Sequence, residues 1–380
     1  MEFSDMRTSI DKIDLQITDL IVKRMKLSDE IAAYKAKHNL PVHDPQRERQ
    51  KLADIAARVG DDMAQVTDAL FSVIFDLSRS RQNRIISGDS PLKKMIREAI
   101  ANTDPQFPTR PLVACQGVEG AYSQLACERI FPSGNIMYFS SFESVFSAVG
   151  QGLCRYGILP IENSTAGSVS RIYDLMMEQD FYIIRSCRVK VDHCLLAKRG
   201  TKFENIREII SHEQAIAQCQ GFLKTLKNVK ITTCANTAEA AATVAKSGRD
   251  DLAALSSQSC AGLYGLDCLV RSVQDKGSNY TRFICISKEL EIYPGANRTS
   301  LMIVLPNRCG SLYHALSRFF ALGINLIKLE SRPLANTDFE FMFYFDLDTP
   351  VYSDHFLRLF DDLEGAVTSL KYLGSYTEIV

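Results

Sequence analysis

Five consecutive residues, Asn279-Tyr280-Thr281-Arg282-Phe283, open an apolar run that ends at Cys285-Ile286. A strand carrying Phe283, Ile284 and Ile286 reads as buried, so a hydroxyl and a guanidinium at its leading edge mark a site. A second polar group, Glu162-Asn163-Ser164-Thr165, follows the apolar run Ile158-Leu159-Pro160-Ile161. A helix N-cap needs only one such residue, so the surplus suggests a ligand loop. A third group lies near the N-terminus. Arg7, Asp14, Arg24, Ser28 and Lys35 interrupt the apolar row of Ile10, Ile17, Ile21 and Ile31, and Ser78 and Gln82 continue a row of Val66, Leu70 and Ile74. Cations and amides on inward-facing rows are costly to bury unless an anion lies among them. Hydroxyls and amides at strand ends suit proton donation and hydrogen bonding to a small polar ligand.

The elements that must carry these groups follow from the pattern. Residues 4–38 contain no Pro or Gly and step by three and four, which predicts one long helix. At about 1.5 Å per residue it spans roughly 50 Å, too long for the two shorter helices after it to cover, so a second copy of the chain is expected against it. Asp44 and Pro45 start a second helix that Gly60 closes, and a third runs over about 62–85. Four of the twelve prolines fall between 87 and 111 and predict a linker with a helical turn or two near 93–100. Beyond it, strands and helices alternate to residue 290, as in an α/β domain with ligands at strand ends. The remainder reads strand (300–305), helix (311–322), strand (325–330), strand (340–347), helix (354–363), strand (369–376), a ferredoxin-like βαββαβ order.

Composition narrows the function. Lys+Arg number 44 against Asp+Glu 45, so no polyanion or acidic membrane surface is implied. No apolar run approaches the roughly 18 residues of a membrane span and no signal-peptide core is visible, so a cytoplasmic enzyme is expected. Eleven scattered cysteines without a Cys-x-x-Cys pair predict neither disulfides nor zinc. The Gly117 to Gly120 turn lacks the dinucleotide spacing, and no cofactor or metal is expected.

At these spacings Arg7, Arg24, Lys35, Asp44, Arg47, Glu48 and Gln82 resemble the active-site set of the all-helical chorismate mutases, three-helix domains that form intertwined dimers. The resemblance implies that Arg24 and, from the other subunit, Arg7 hold the two carboxylates of chorismate. Lys35 and Gln82 would bond the ether oxygen, Glu48 with the Asp44 region would accept from the ring hydroxyl, and Arg47 and Ser78 would complete the wall. The reaction is an intramolecular rearrangement, which requires a folded conformer and charge complementarity rather than a nucleophile.

The α/β segment resembles prephenate dehydratase at residues 117–123, at Pro160-Ile161-Glu162-Asn163-Ser164, at Asp192-His193-Cys194-Leu195-Leu196, at Ser211-His212 with Gln214-Ala215, and at residues 279–283. Glu213, Val118 and Ala121 depart from that family's pattern. The resemblance implies two α/β lobes like those of periplasmic binding proteins, with prephenate between them. Thr281 would then donate or relay the proton, Glu162 would act beside it, and Asn163, Ser164, Ser211, Gln218 and Arg282 would complete a polar cage. Residues 307–312 (Asn307, Gly310, Ser311 and Leu312 among them) and Glu330-Ser331-Arg332-Pro333 resemble the phenylalanine-contacting segments of an α+β ACT regulatory domain. This implies feedback inhibition by L-phenylalanine.

The expected organisation is therefore a helical mutase domain (1–90), a linker (91–110), a dehydratase domain (111–290) and an ACT domain (297–380), in a homodimer or larger homo-oligomer. Two alternatives compete. In the first, a dehydratase carries a helical segment that only dimerises. In the second, a ligand-responsive transcription regulator would need a basic recognition helix, but residues 1–86 hold 14 Lys+Arg against 14 Asp+Glu and neither nucleic acid nor membrane is expected as partner.

Overall fold

The computed structural model describes residues 3–87, 90–334, 341–363 and 366–380. The chain divides into two compact units, Met1–Ala101 with Leu301–Lys371, and Asn102–Ser300 with Tyr372–Val380. The first opens with helices α1 (Phe3–His38), α2 (Pro45–Val59) and α3 (Asp61–Ser87). Asp44 caps α2 by accepting from the Arg47 N–H at 3.0 Å, and Pro45 occupies the first helical position, where a missing N–H costs nothing. Only Ser28 and Ala32 of α1 are buried, while Ile17 and Leu20 stand 47% and 64% exposed in the single chain. The segment expected as a linker contains α4 (Pro91–Asn102), whose Lys93 and Ile96 are buried. Lys93 reaches inward because it pairs with the carboxylate of Asp361, so this stretch is packed structure rather than a free tether.

The second unit has two lobes. In the first, β1 (Leu112–Gln116), followed by α5 (Tyr122–Ile130), lies parallel between β2 (Asn135–Phe139) and, after α6 (Phe142–Gly150), β3 (Tyr156–Asn163). A two-residue β4 (Gly167–Ser168), α7 (Ser170–Glu178) and β5 (Tyr182–Lys190) complete it. Val113, Tyr156, Ile158, Cys187, Phe283 and Cys285 pack with Ala126, Cys127 and Ile130 of α5 as its core. The second lobe holds β6 (His193–Ala197), β7 (Glu208–His212), α8 (Glu213–Gln218), α9 (Gln220–Lys224), β8 (Lys230–Cys234), α10 (Thr237–Lys246), β9 (Leu252–Ser257), α11 (Gln258–Tyr264) and β10 (Asp267–Val270). Its sheet order is β10-β6-β9-β7-β8. The chain then returns, and β11 (Tyr280–Ser287) inserts antiparallel between β3 and β5, which places Thr281 opposite Asn163.

The remaining elements run β12 (Arg298–Val304), α12 (Ser311–Ala321), β13 (Asn325–Pro333), β14 (Phe341–Asp348), α13 (Asp354–Leu363) and β15 (Ser369–Ile379), the expected βαββαβ order. Residue 340, expected to start the third of these strands, lies outside the described residues. At the end of β15, Thr377, Glu378 and Ile379 pair in parallel with Arg185, Ser186 and Cys187 of β5. Gly374 has φ +131°, and a Cβ there would run into the backbone carbonyl of Ile183, so this approach of β15 requires glycine.

Candidate functional site

Between the two lobes lies a cavity of about 490 Å³. Its wall includes Thr281, Asn163, His193, Gln218, Tyr122 and Ser123, and among the described residues no Asp, Glu, Lys or Arg lines it. Three helices of nine or ten residues, α5, α7 and α10, begin on this wall, through Tyr122 and Ser123, Val169, and Asn236 and Thr237. Their first-turn N–H groups and macrodipoles give the cavity positive potential without a charged side chain.

Thr281 is held from one side. The Asn163 Oδ1 accepts from the backbone N–H of Thr165 at 3.0 Å and of Ala166 at 2.9 Å, and backbone amides only donate, so the orientation of its side-chain amide is decided. The Nδ2 therefore donates, to Thr281 Oγ1 at 2.9 Å and to Asn279 Oδ1 at 2.8 Å. That in turn orients Asn279, whose Nδ2 donates to Gln218 Oε1 at 2.9 Å, while Gln218 Nε2 donates to Thr165 Oγ1 at 3.2 Å. Gln218 Oε1 also lies 3.1 Å from His193 Nε2, which must carry the hydrogen of that neutral imidazole. Burial lowers the His193 pKa, with Gln218 and Asp192 opposing the shift. Burial pushes the Tyr122 hydroxyl well above its ordinary value, and it donates to the Asp192 carbonyl at 2.9 Å. Because Thr281 Oγ1 accepts from Asn163, its own proton is left to point away from that amide.

Three residues expected in this cage are elsewhere. Glu162 and Arg282 form a cross-strand pair one position from Asn163 and Thr281, and successive residues of a strand face opposite sides, so both lie behind the sheet. Ser211 is fully buried and donates to the Leu255 carbonyl at 2.7 Å. Ser164 buttresses the site rather than lining it, since its hydroxyl accepts from the Tyr280 N–H at 2.9 Å. Conversely, Tyr122, His193, Thr165 and Asn279 join the network without having been assigned roles. His193 and Asn279 stood inside matched stretches, and strand parity was the signal that separated Glu162 from Asn163.

In the helical segment the polar rows do meet. Arg24 bonds the Ser78 hydroxyl and lies 5.5 Å over the Phe75 ring, and burial lowers its pKa while Glu48 raises it. Gln82 Nε2 donates to Ser28 Oγ at 3.1 Å, leaving its buried Oε1 without a hydrogen-bond partner. Lys35 Nζ bonds the Val42 carbonyl at 2.6 Å, and Glu48 is paired with Arg79, a residue that the sequence pattern did not single out. Arg7 and Arg47 are exposed, and Asp44 serves as a helix cap. Seventeen residues of helix separate Arg7 from Arg24, about 25 Å, so Arg7 cannot reach the site of its own chain. Asn307 is exposed, Gly310 at φ +82° precedes α12 with Ser311 and Leu312 in its first turn, and Glu330-Ser331-Arg332-Pro333 end β13, paired with β14.

A family model described as prephenate dehydratase matches residues 113–291, and one described as chorismate mutase type II matches residues 6–83. A bifunctional chorismate mutase/prephenate dehydratase of Aquifex aeolicus is 29% identical, covering 99% of this chain and 98% of that one. An arogenate dehydratase/prephenate dehydratase of Arabidopsis thaliana is 34% identical over 80% of this chain and 87% of its own. Among solved structures, a prephenate dehydratase from Arthrobacter aurescens in complex with L-Phe is 26% identical with a TM-score of 0.64, covering 70% of this chain and 89% of that one. GqqA, described as a quorum quenching acylase, is 32% identical with a TM-score of 0.65 over 70% and 98%. With both family models in sequence and a full-length bifunctional relative, the chain belongs to the prephenate dehydratase family, in the form that carries a chorismate mutase domain ahead of the dehydratase.

Proposed function

We propose that this chain rearranges chorismate to prephenate in its helical segment and converts prephenate to phenylpyruvate in the cavity between its lobes. The observation that carries the second step is the uncharged wall around Thr281. In the reaction the ring C–CO2 bond breaks, its electron pair completes the aromatic ring, and the C–OH bond breaks with the hydroxyl leaving as water. Thr281 donates the proton, which solvent replaces, and Asn163 holds the hydroxyl in the donating sense. An arginine on the departing carboxylate would stabilise the ground state more than the transition state, whereas helix N-termini, each carrying about half a charge, hold the dianion with less of that penalty. A hydrolytic reading like that of GqqA is not favoured, because the recorded partner of Thr281 Oγ1 is an amide rather than a general base.

For the first step, Arg24, Lys35 and Gln82 supply the cationic and amide groups, Glu48 accepts from the ring hydroxyl, and Arg7 arrives from a second copy packed on the exposed apolar face of α1. The orphaned carbonyl of Gln82 supports a ligand there, since turning the amide over frees an N–H to donate. The βαββαβ region acts as a ferredoxin-like ACT domain that binds L-phenylalanine at residues 307–312 and 330–333 and inhibits the enzyme. Lys35→Ala should cut chorismate turnover by about 10²-fold or more and spare prephenate turnover, while Thr281→Ala should do the reverse. If Lys35→Ala leaves both rates intact, the helical segment only dimerises.

A further inference from the structure

Behind the Thr281 strand sits a charge cluster that the reaction does not use. The Glu378 side chain is 2% exposed and pairs with Arg282 Nε at 3.0 Å, Arg188 Nε at 2.8 Å and Arg298 Nη2 at 3.2 Å. Arg282 also donates to the Tyr376 hydroxyl at 2.9 Å, which shares a hydrogen bond of 2.6 Å with Ser300 Oγ. Of the three guanidiniums Arg282 is the most buried, its side chain 7% exposed against 18% for Arg298 and 42% for Arg188, so it loses most when the buried carboxylate is removed. The position of the cluster gives it a use. Arg282 follows Thr281, so anchoring its side chain on the back of the sheet sets the rotation of the strand that presents Thr281 on the front. On the β3 side the register slips between Arg282 and Phe283, so the strand beside the reacting residue is held there by its side chains and by its pairing with β5, unbroken at this point.

We propose that Glu378 is a positioning residue for the dehydratase step, acting through Arg282 to hold Thr281 against Asn163. The inference rests on the reading of Thr281 as proton donor. The test compares Glu378→Gln, Glu378→Asp, Thr281→Ala and the double variant Glu378→Gln/Thr281→Ala in the full chain, well below the onset of thermal unfolding. Glu378→Gln should lower kcat for prephenate about tenfold with KM within about twofold, short of the ~10²-fold that a 1 Å misplacement costs. Chorismate turnover should be unchanged, and Glu378→Asp should recover most of the loss. In the Thr281→Ala background Glu378→Gln should add nothing, a coupling that a purely structural role would not produce. Should Glu378→Gln not fold, its combination with Arg298→Met, which also removes one cation, carries the same comparison. An unchanged kcat, or losses that simply add, would overturn the proposal. Wild-type prephenate turnover by Thr281→Ala alone would instead overturn the reading of the site.

Discussion

Replacing Asn163 by Asp changes almost no volume and inverts the hydrogen bonding at Thr281. Asn163 is buried, and its Oδ1 accepts from two backbone N–H groups and from Thr165 Oγ1 at 2.7 Å, so a carboxylate would keep one oxygen in place. The other oxygen would sit where Nδ2 donates to Thr281 and Asn279. As an acceptor it draws in the Thr281 proton, which no longer points at the substrate, and it faces Asn279 Oδ1 lone pair to lone pair. The loss amounts to one preorganised donor at the reacting atom, about 2.7–4 kcal/mol or 10²–10³ in kcat. The added charge also repels a dianion, so kcat at saturating prephenate is the diagnostic quantity, read from phenylpyruvate formation with chorismate turnover as the internal control. The two backbone N–H donors and the helix N-termini on the wall favour the charged form of the new carboxylate, and only protonation at acidic pH restores a donor. The activity of Asn163→Asp relative to wild type should therefore rise as the pH falls. A folded variant with kcat within about twofold of wild type at about pH 8 would refute the donor geometry.

Burial depresses the His193 pKa, so the folded chain binds fewer protons there than the unfolded chain. Its contribution to stability is complete above about pH 6.5 and is lost as the pH falls through the folded value, so the melting temperature should drop on acidification and drop less in His193→Asn. Equal pH slopes in the two proteins would contradict this. Leu20→Lys, at a position 64% exposed in the single chain, should be nearly neutral if that face is solvated. On the dimer reading it yields monomers by sedimentation and loses mutase but not dehydratase turnover, and mutase turnover by such a monomer would refute the shared site. Cys309 is the one exposed thiol among the described residues and lies within 307–312, so saturating L-phenylalanine should slow its alkylation several-fold. An unchanged rate would remove that segment from the effector site.

What the sequence determined by itself is what local chemistry controls. The absence of Pro and Gly and a three-four period are sufficient for the long helix, alternation for the α/β order, and Asp44-Pro45 for a capped helix start. Asn163, Gln218 and Thr281, all three expected in the cage, meet in one cavity because each stands at a strand or helix end, where the two lobes face each other. The tertiary structure decided the rest through strand parity and register. Neighbours in sequence, Glu162 beside Asn163 and Arg282 beside Thr281, were divided between the two faces of the sheet, and Ser211 was taken up by a backbone carbonyl. It also brought residues almost a hundred positions apart, Arg282 and Glu378, into one buried ion cluster. Such pairings depend on which strands become neighbours, and that is set by the packing of the whole unit rather than by any local run of residues.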